Sequence, residues 1–220
     1  MAFHQPFQII GFHSCERKVG LRVLNGEDFL RPSDNPWDWL GPGVYFWEQN
    51  PHRAIQYAEE CANGDQKFSG AIETPFVLGA IIELGRCLNL TEPDSINIVD
   101  EAHSELQRTM HDAGKKLPEN VDANRRLDCM VFKYVHQSNK ITGRESYDTI
   151  RSPFHEGGVL YEGANFSKRL HLEVCVLNPQ CIKGYFLPLP HEIFNPYLTK
   201  PFVRKAIASL TGPSNSSPSA

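Results

Sequence analysis

Apolar residues along this chain follow two rhythms, one of strands and one of helices, with Gly, Pro and Asn clusters between them. Residues 7–14 (Phe-Gln-Ile-Ile-Gly-Phe-His-Ser) are mostly apolar, start after Pro6, and predict a first strand. A short helix or turn over 17–24 ends at Asn25-Gly26, a strong breaker. Residues 27–42 hold Pro32, Pro36 and Pro42 and cannot form a regular element, yet Trp37 and Trp39 imply that this loop packs against something. Loops of such length are often functional. Residues 44–47 predict a short buried strand. Asn50 then suits an N-cap, with Pro51 at the first helical position, where its missing N–H costs nothing. Ala54, Tyr57, Ala58 and Cys61 recur at helical spacing until Asn63-Gly64 stops them. Residues 75–90 give the strongest strand signal, a nearly continuous apolar run of the kind found in strands covered on both faces. Two helices are predicted over 95–111 and 122–136, and strands return near 158–161, 171–178 and 181–187. Strand-rich ends with helices inserted between them make the fold class α+β.

Composition narrows this picture modestly. A length of 220 residues suits one domain, and 40% hydrophobic with 22% charged residues is ordinary for a globular chain. We expect a domain over 1–210 with a helical insertion at about 95–139, and a disordered Ser/Pro-rich tail over 211–220. The net charge of −4 gives no footprint for general nucleic-acid binding. Six cysteines without a CxxC pair suit reduced thiols in a cytosolic protein. The start has no basic segment followed by an apolar one, and no apolar run approaches a membrane span. The expectation is a soluble, cytoplasmic protein without a membrane partner. HExxH, GxSxG, Walker A and GxGxxG patterns are missing, and the nine histidines do not pair at ligand spacing, so no metal is expected.

The chemistry sits in three apolar segments, each carrying one polar residue of a different kind. They are Phe7-Gln8-Ile9-Ile10-Gly11-Phe12-His13-Ser14, Gly41-Pro42-Gly43-Val44-Tyr45-Phe46-Trp47-Glu48 and His171-Leu172-Glu173-Val174-Cys175-Val176-Leu177-Asn178. Each residue has a plain structural reading. A His ending a strand is often a hydrogen-bonded structural group, and a Tyr in a buried strand is usually core with its hydroxyl satisfied. Glu173 is harder to dismiss, because a carboxylate in an apolar strand is costly to bury, although on an edge strand it would simply face solvent.

In order, the trio resembles the His-Tyr-Glu signature of the ADP-ribosyltransferase superfamily, in the branch of diphtheria toxin and the poly(ADP-ribose) polymerases. The resemblance implies a split β-sandwich around an NAD cleft, with NAD as co-substrate and no metal. It implies that His13 contacts the adenosine-side ribose, that the Ser14 backbone holds the nicotinamide amide, and that Tyr45 stacks on the nicotinamide ring. Glu173 would hydrogen-bond the nicotinamide ribose and stabilise the reacting carbon. Breaking that bond passes through an oxocarbenium-like state, which calls for a nearby carboxylate as in glycosidases. Two positions depart from the pattern: Ser14 stands where many relatives carry Gly, and Gln56 where they often carry a second stacking tyrosine, with Tyr57 one step on. Trp47, Trp37 and Trp39 are alternative walls.

Further residues are assigned more loosely. His171 emerges on the same strand face as Glu173. Related toxins carry an acceptor-selecting side chain two residues before the glutamate, so His171 either stands at the acceptor-side rim or faces solvent on an edge. In the charged, glycine-containing stretch 148–158, Arg151 suits the NAD pyrophosphate and Glu156 the acceptor side, and a surface loop explains both as well. Arg53 fits either a phosphate contact or a solvated helix face. The function implied is mono-ADP-ribosyl transfer to a macromolecule, protein slightly favoured over nucleic acid. Bacterial relatives of this size often act as toxins or in phage defence, with an antitoxin partner. A catalytically silent NAD- or ADP-ribose-binding module and an NAD glycohydrolase are the alternatives.

Overall fold

A computed structural model of the chain describes residues 8–65 and 72–204. The elements, in order, are β1 (Gln8–Glu16), α1 (Arg17–Leu24), β2 (Val44–Glu48), α2 (Pro51–Asn63), β3 (Pro75–Glu83), β4 (Cys87–Asn89), α3 (Pro93–Asp112), β5 (Asn120–Val121), β6 (Asn124–Arg125), α4 (Arg126–Thr142), β7 (Thr149–Val159), β8 (Ser167–Val176), β9 (Ile182–Phe186) and α5 (His191–Phe194). Seven strands form one sheet in the order β4-β7-β8-β2-β1-β3-β9, antiparallel except for the β4–β7 pair. The fold is α+β with a mostly antiparallel, open sheet. The tail at 211–220 lies outside the described residues. Among the described residues no helix is long and apolar enough to cross a membrane.

Local chemistry explains most of the boundaries. Asn50 caps α2 by accepting the Arg53 N–H at 3.0 Å, Pro51 opens the helix, and Gly64 ends it at φ 84. The run expected over 75–90 is two strands rather than one. The chain turns at Gly85 (φ 57), so that β4 leaves β3 and pairs in parallel with β7. The segment 148–158, read from sequence as a possible surface loop, is instead most of β7, an 11-residue strand paired with β8 from Thr149↔Val176 onward. Its charges and Gly157-Gly158 conceal the strand, which exists because β8 supplies the hydrogen-bond ladder; the glycines fall where the register shifts.

Alternation of side chains gives each face of the sheet its own core. One face buries Cys15, Val44, Phe46, Phe76, Leu78, Ala80, Ile82, Val174 and Val176 against Val23 of α1 and Leu30 of the following loop. The opposite face is covered in two parts. Ala54 and Ile55 of α2 pack on Phe12, Trp47 and Val77, while α3 and α4 pack on Leu88, Ile150 and Cys175. The ladder between β1 and β2 is short: only Gly11↔Glu48 and Phe12↔Trp47 are in register, against nine pairs between β1 and β3. Beyond Phe12 the two strands part. That gap lies beside the divide between α2 and the α3–α4 pair.

Candidate functional site

A cleft of about 460 Å³ occupies the gap, within the usual range of small-molecule sites (about 300–1,000 Å³). Its walls include His13, Ser14, Tyr45, Arg53, Tyr57, Glu156 and Glu173, so the structure brings together the site residues read from the sequence except His171 and Arg151.

His13 follows the last β1–β2 pair. It pairs with Leu78 of β3 but with no residue of β2, and across that side its Nδ1 reaches the Tyr45 carbonyl oxygen at 2.8 Å. A carbonyl can only accept, so Nδ1 carries the proton and Nε2 keeps a lone pair. Burial pushes the His13 imidazole below its usual range, partly offset by that hydrogen bond, which keeps the ring neutral at pH 7. His13 is therefore an acceptor at Nε2, suited to a hydroxyl donor.

Ser14 presents its backbone to the open side. Its β3 neighbour Val77 has its own N–H and C=O occupied by the Asn195 side chain, at 2.8 and 3.0 Å, on the side away from β1. In an antiparallel ladder such a pair faces outward on both strands, so the Ser14 N–H and C=O project toward the gap. The Ser14 hydroxyl donates to the Ala54 carbonyl of α2, tying helix to strand.

Tyr45 serves two ends. Its ring lines the cleft, while its hydroxyl accepts from the Leu40 N–H at 2.9 Å and donates to the Gly41 carbonyl, anchoring the Trp37–Trp39 loop. The Gly-Pro-Gly before it is steric. Gly41 has φ 77, and a Cβ on Gly43 would come within 2.3 Å of the Cys175 sulfur. Burial also raises the Tyr45 hydroxyl well above its usual range, so it stays a neutral donor.

Tyr57 is brought round to the cleft despite its one-residue offset. Its ring packs on Trp47 at 5.0 Å between centroids, and both lie beneath the Arg53 guanidinium. Arg53 is 4% exposed and bonds Glu156 at 2.9 Å and Glu60 at 3.5 Å. Its charge is thus neutralised within the protein, and it acts as a brace between α2 and β7. Glu60 also meets Arg169 of β8 at 3.0 Å. Trp47 stands opposite Glu173 in the β2–β8 ladder, so the two share a face.

His171 does not stand at the rim. It is 6% exposed, with Nδ1 3.0 Å from the Arg169 carbonyl and Nε2 3.0 Å from Glu173 Oε1. Same-face placement, correctly read from the two-residue spacing, joins His171 to Glu173 rather than to solvent. Arg151 likewise turns away from any phosphate role. Its guanidinium forms a two-pronged pair with Glu48, and Asn89 and Thr91 accept from its remaining nitrogen. Sequence reasoning missed Asp38. Its carboxylate gathers the Ser33 hydroxyl at 2.8 Å and the Asn35 N–H at 2.7 Å, shaping the cleft-lining loop, and the Ser-x-Asn-x-x-Asp spacing was its signal. Trp39 forms a wall shared with a second, apolar cavity of about 420 Å³ under α3 and α4. Its indole N–H donates to the Ala123 carbonyl and its ring packs on Phe154.

Over 188 residues the chain is 23% identical to an uncharacterized protein of Methanocaldococcus jannaschii, spanning 78% of this chain and 83% of that one. No family model matches the chain. No solved structure matches it.

Proposed function

We propose that the chain is an NAD-dependent mono-ADP-ribosyltransferase, with an ADP-ribosyltransferase-like split β-sandwich whose cleft is the β1–β2 gap. The observation that carries this reading is convergence. Residues separated by up to 160 positions, and singled out by type and order, line one cleft with compatible chemistry. The sheet parting after Phe12 supports a split-sandwich architecture, with α3 and α4 as its helical addition.

Each side chain has a task in that reaction. His13 Nε2 accepts a ribose hydroxyl, and the outward N–H and C=O of Ser14 match the C=O and N–H₂ of a carboxamide. Tyr45, with Tyr57 and Trp47, offers aromatic surface for a flat pyridinium ring. Glu173 has one oxygen held by His171, and its other oxygen makes no hydrogen bond to a described residue. That second oxygen accepts from the nicotinamide-side ribose and opposes positive charge as the glycosidic bond breaks. The bonding pair leaves with neutral nicotinamide. The acceptor's nucleophile then bonds the anomeric carbon and gives up its proton. A protein acceptor fits the absence of net positive charge slightly better than a nucleic acid does.

The test uses purified protein, NAD labelled on the adenine side, and a lysate treated with nuclease or protease. Label on a macromolecule supports transfer, and the treatment that removes it names the acceptor class. Free ADP-ribose alone would make the protein a glycohydrolase. Intact NAD throughout would make it a binding module.

A further inference from the structure

Glu173 does not face the cleft unaided. His171, two residues earlier on β8, is packed behind it and held at both ring nitrogens. The Arg169 carbonyl at 3.0 Å can only accept, so Nδ1 must donate. The other ring nitrogen, Nε2, lies 3.0 Å from Glu173 Oε1. The imidazole is thus held at both ends, and it ties one carboxylate oxygen to the main chain of its own strand through two short contacts.

The surroundings make this arrangement specific to His171. The nearby guanidinium groups are committed elsewhere: Arg53 to Glu156 and Glu60, and Arg169 to Glu60. The other titratable groups around Glu173 are the Tyr45 and Tyr57 hydroxyls and the Cys175 thiol, all pushed up chiefly by burial and in small part by the Glu173 charge. Phe154 of β7 is the cross-strand neighbour of His171, with ring centroids 6.1 Å apart, and it fixes the ring plane. Trp39 in turn packs on Phe154 at 4.7 Å. The imidazole is thus clamped by a carbonyl at one end and an aromatic face at its side.

We infer that His171 is a positioning residue, which holds Oε1 of Glu173 through the Nε2 contact and so aims Oε2 into the cleft; its catalytic meaning rests on the transferase reading above. Substrate does not reach it, since its side chain is 1% exposed while that of Glu173 keeps 15%. Sequence spacing alone suggests an acceptor-side role, and burial assigns the residue to the carboxylate instead.

Two measurements test this. Nitrogen-15 NMR of the imidazole groups, on the intact chain, should find a hydrogen-bond shift at His171 Nε2 that is lost in Glu173→Ala while the Nδ1 signal keeps its own. A His171 Nε2 signal unchanged by that substitution would overturn the pairing whatever the enzymology. Steady-state NAD cleavage is then compared for two variants. His171→Phe keeps the packing on Phe154 without the bond, and His171→Gln keeps a donor. Misaiming one catalytic group typically costs roughly 100-fold. His171→Phe should therefore lower kcat by about that factor while KM for NAD stays within about threefold, and His171→Gln should recover to within about tenfold of wild type. A folded His171→Phe with wild-type kcat would overturn the positioning role. If the wild-type protein cleaves no NAD, the functional reading falls and the positioning role falls with it, although the NMR result stands alone.

Discussion

Replacing Tyr45 by Phe separates the two jobs of one side chain. The ring stays, and the hydroxyl goes. In the structure that hydroxyl accepts from the Leu40 N–H at 2.9 Å and donates to the Gly41 carbonyl, and Leu40 is 1% exposed. Water cannot readily take its place, so two buried main-chain groups lose a partner at about 1–3 kcal/mol each. A central value of about 4 kcal/mol for the two, at about 2–4 °C per kcal/mol for a chain of this size, lowers Tm by roughly 8–16 °C. Scanning calorimetry reads the shift. Hydrogen exchange reads its origin, since the Leu40 amide should lose protection while β3 amides keep theirs. NAD affinity, by calorimetric titration, should stay within about threefold because the cleft keeps its aromatic wall, whereas Tyr45→Ala should weaken it at least about tenfold. An unchanged Tm with an unchanged Leu40 amide would refute the tether. Equal affinities for the Phe and Ala variants would refute the wall.

Three other expectations follow from the same geometry. Glu173→Gln removes a charge that, at about 4 Å and an effective dielectric near 20, is worth about 4 kcal/mol, so nicotinamide release should slow by roughly 10³-fold with Tm nearly unchanged; a variant keeping a tenth of the rate would contradict this. Asn195→Ala strips both partners from the Val77 N–H and C=O, and should cost about 2–5 kcal/mol in urea unfolding; a loss below about 1 kcal/mol would mean that another group fills the ladder. His13 and His136 are both lowered by burial, so the unfolded chain binds more protons than the folded one just below pH 6.5. Stability should therefore fall as pH drops below 6.5, until the lower folded-state values are passed. The urea midpoint between pH 7.5 and 5.5 checks this, and His136→Phe should flatten the slope.

Much of the framework is legible in the residues because local chemistry fixes it. The α2 helix announces both its ends through Asn50-Pro51 and Asn63-Gly64, and β1, β2 and the second half of β8 are apolar enough that few alternatives exist, whereas the polar Ser167-Lys168-Arg169 start of β8 is not legible. β7 is not legible. Its alternation of Arg151, Pro153, His155 and the Gly157-Gly158 pair carries loop signals, and only the β8 ladder makes it a strand. Registration is hidden as well. That β1 and β2 share two residue pairs and then part is a tertiary fact with no sequence mark, yet it opens the cleft. The trio was readable as residue types in order, whereas the partners that set each one's task (the Tyr45 carbonyl for His13, the 36–41 loop for Tyr45, and His171 for Glu173) come from other strands or from burial. Arg151 illustrates the converse. An arginine near a candidate site invites a phosphate, but Glu48 from β2 reaches it first.

The most direct test of the account is a crystal structure of Glu173→Gln soaked with NAD. The nicotinamide ring should lie between Tyr45 and Tyr57, with its carboxamide on the Ser14 backbone, one ribose on His13 Nε2, and the other within hydrogen-bond reach of position 173. NAD bound elsewhere, or an empty β1–β2 gap at saturating NAD in a well-folded crystal, would contradict it.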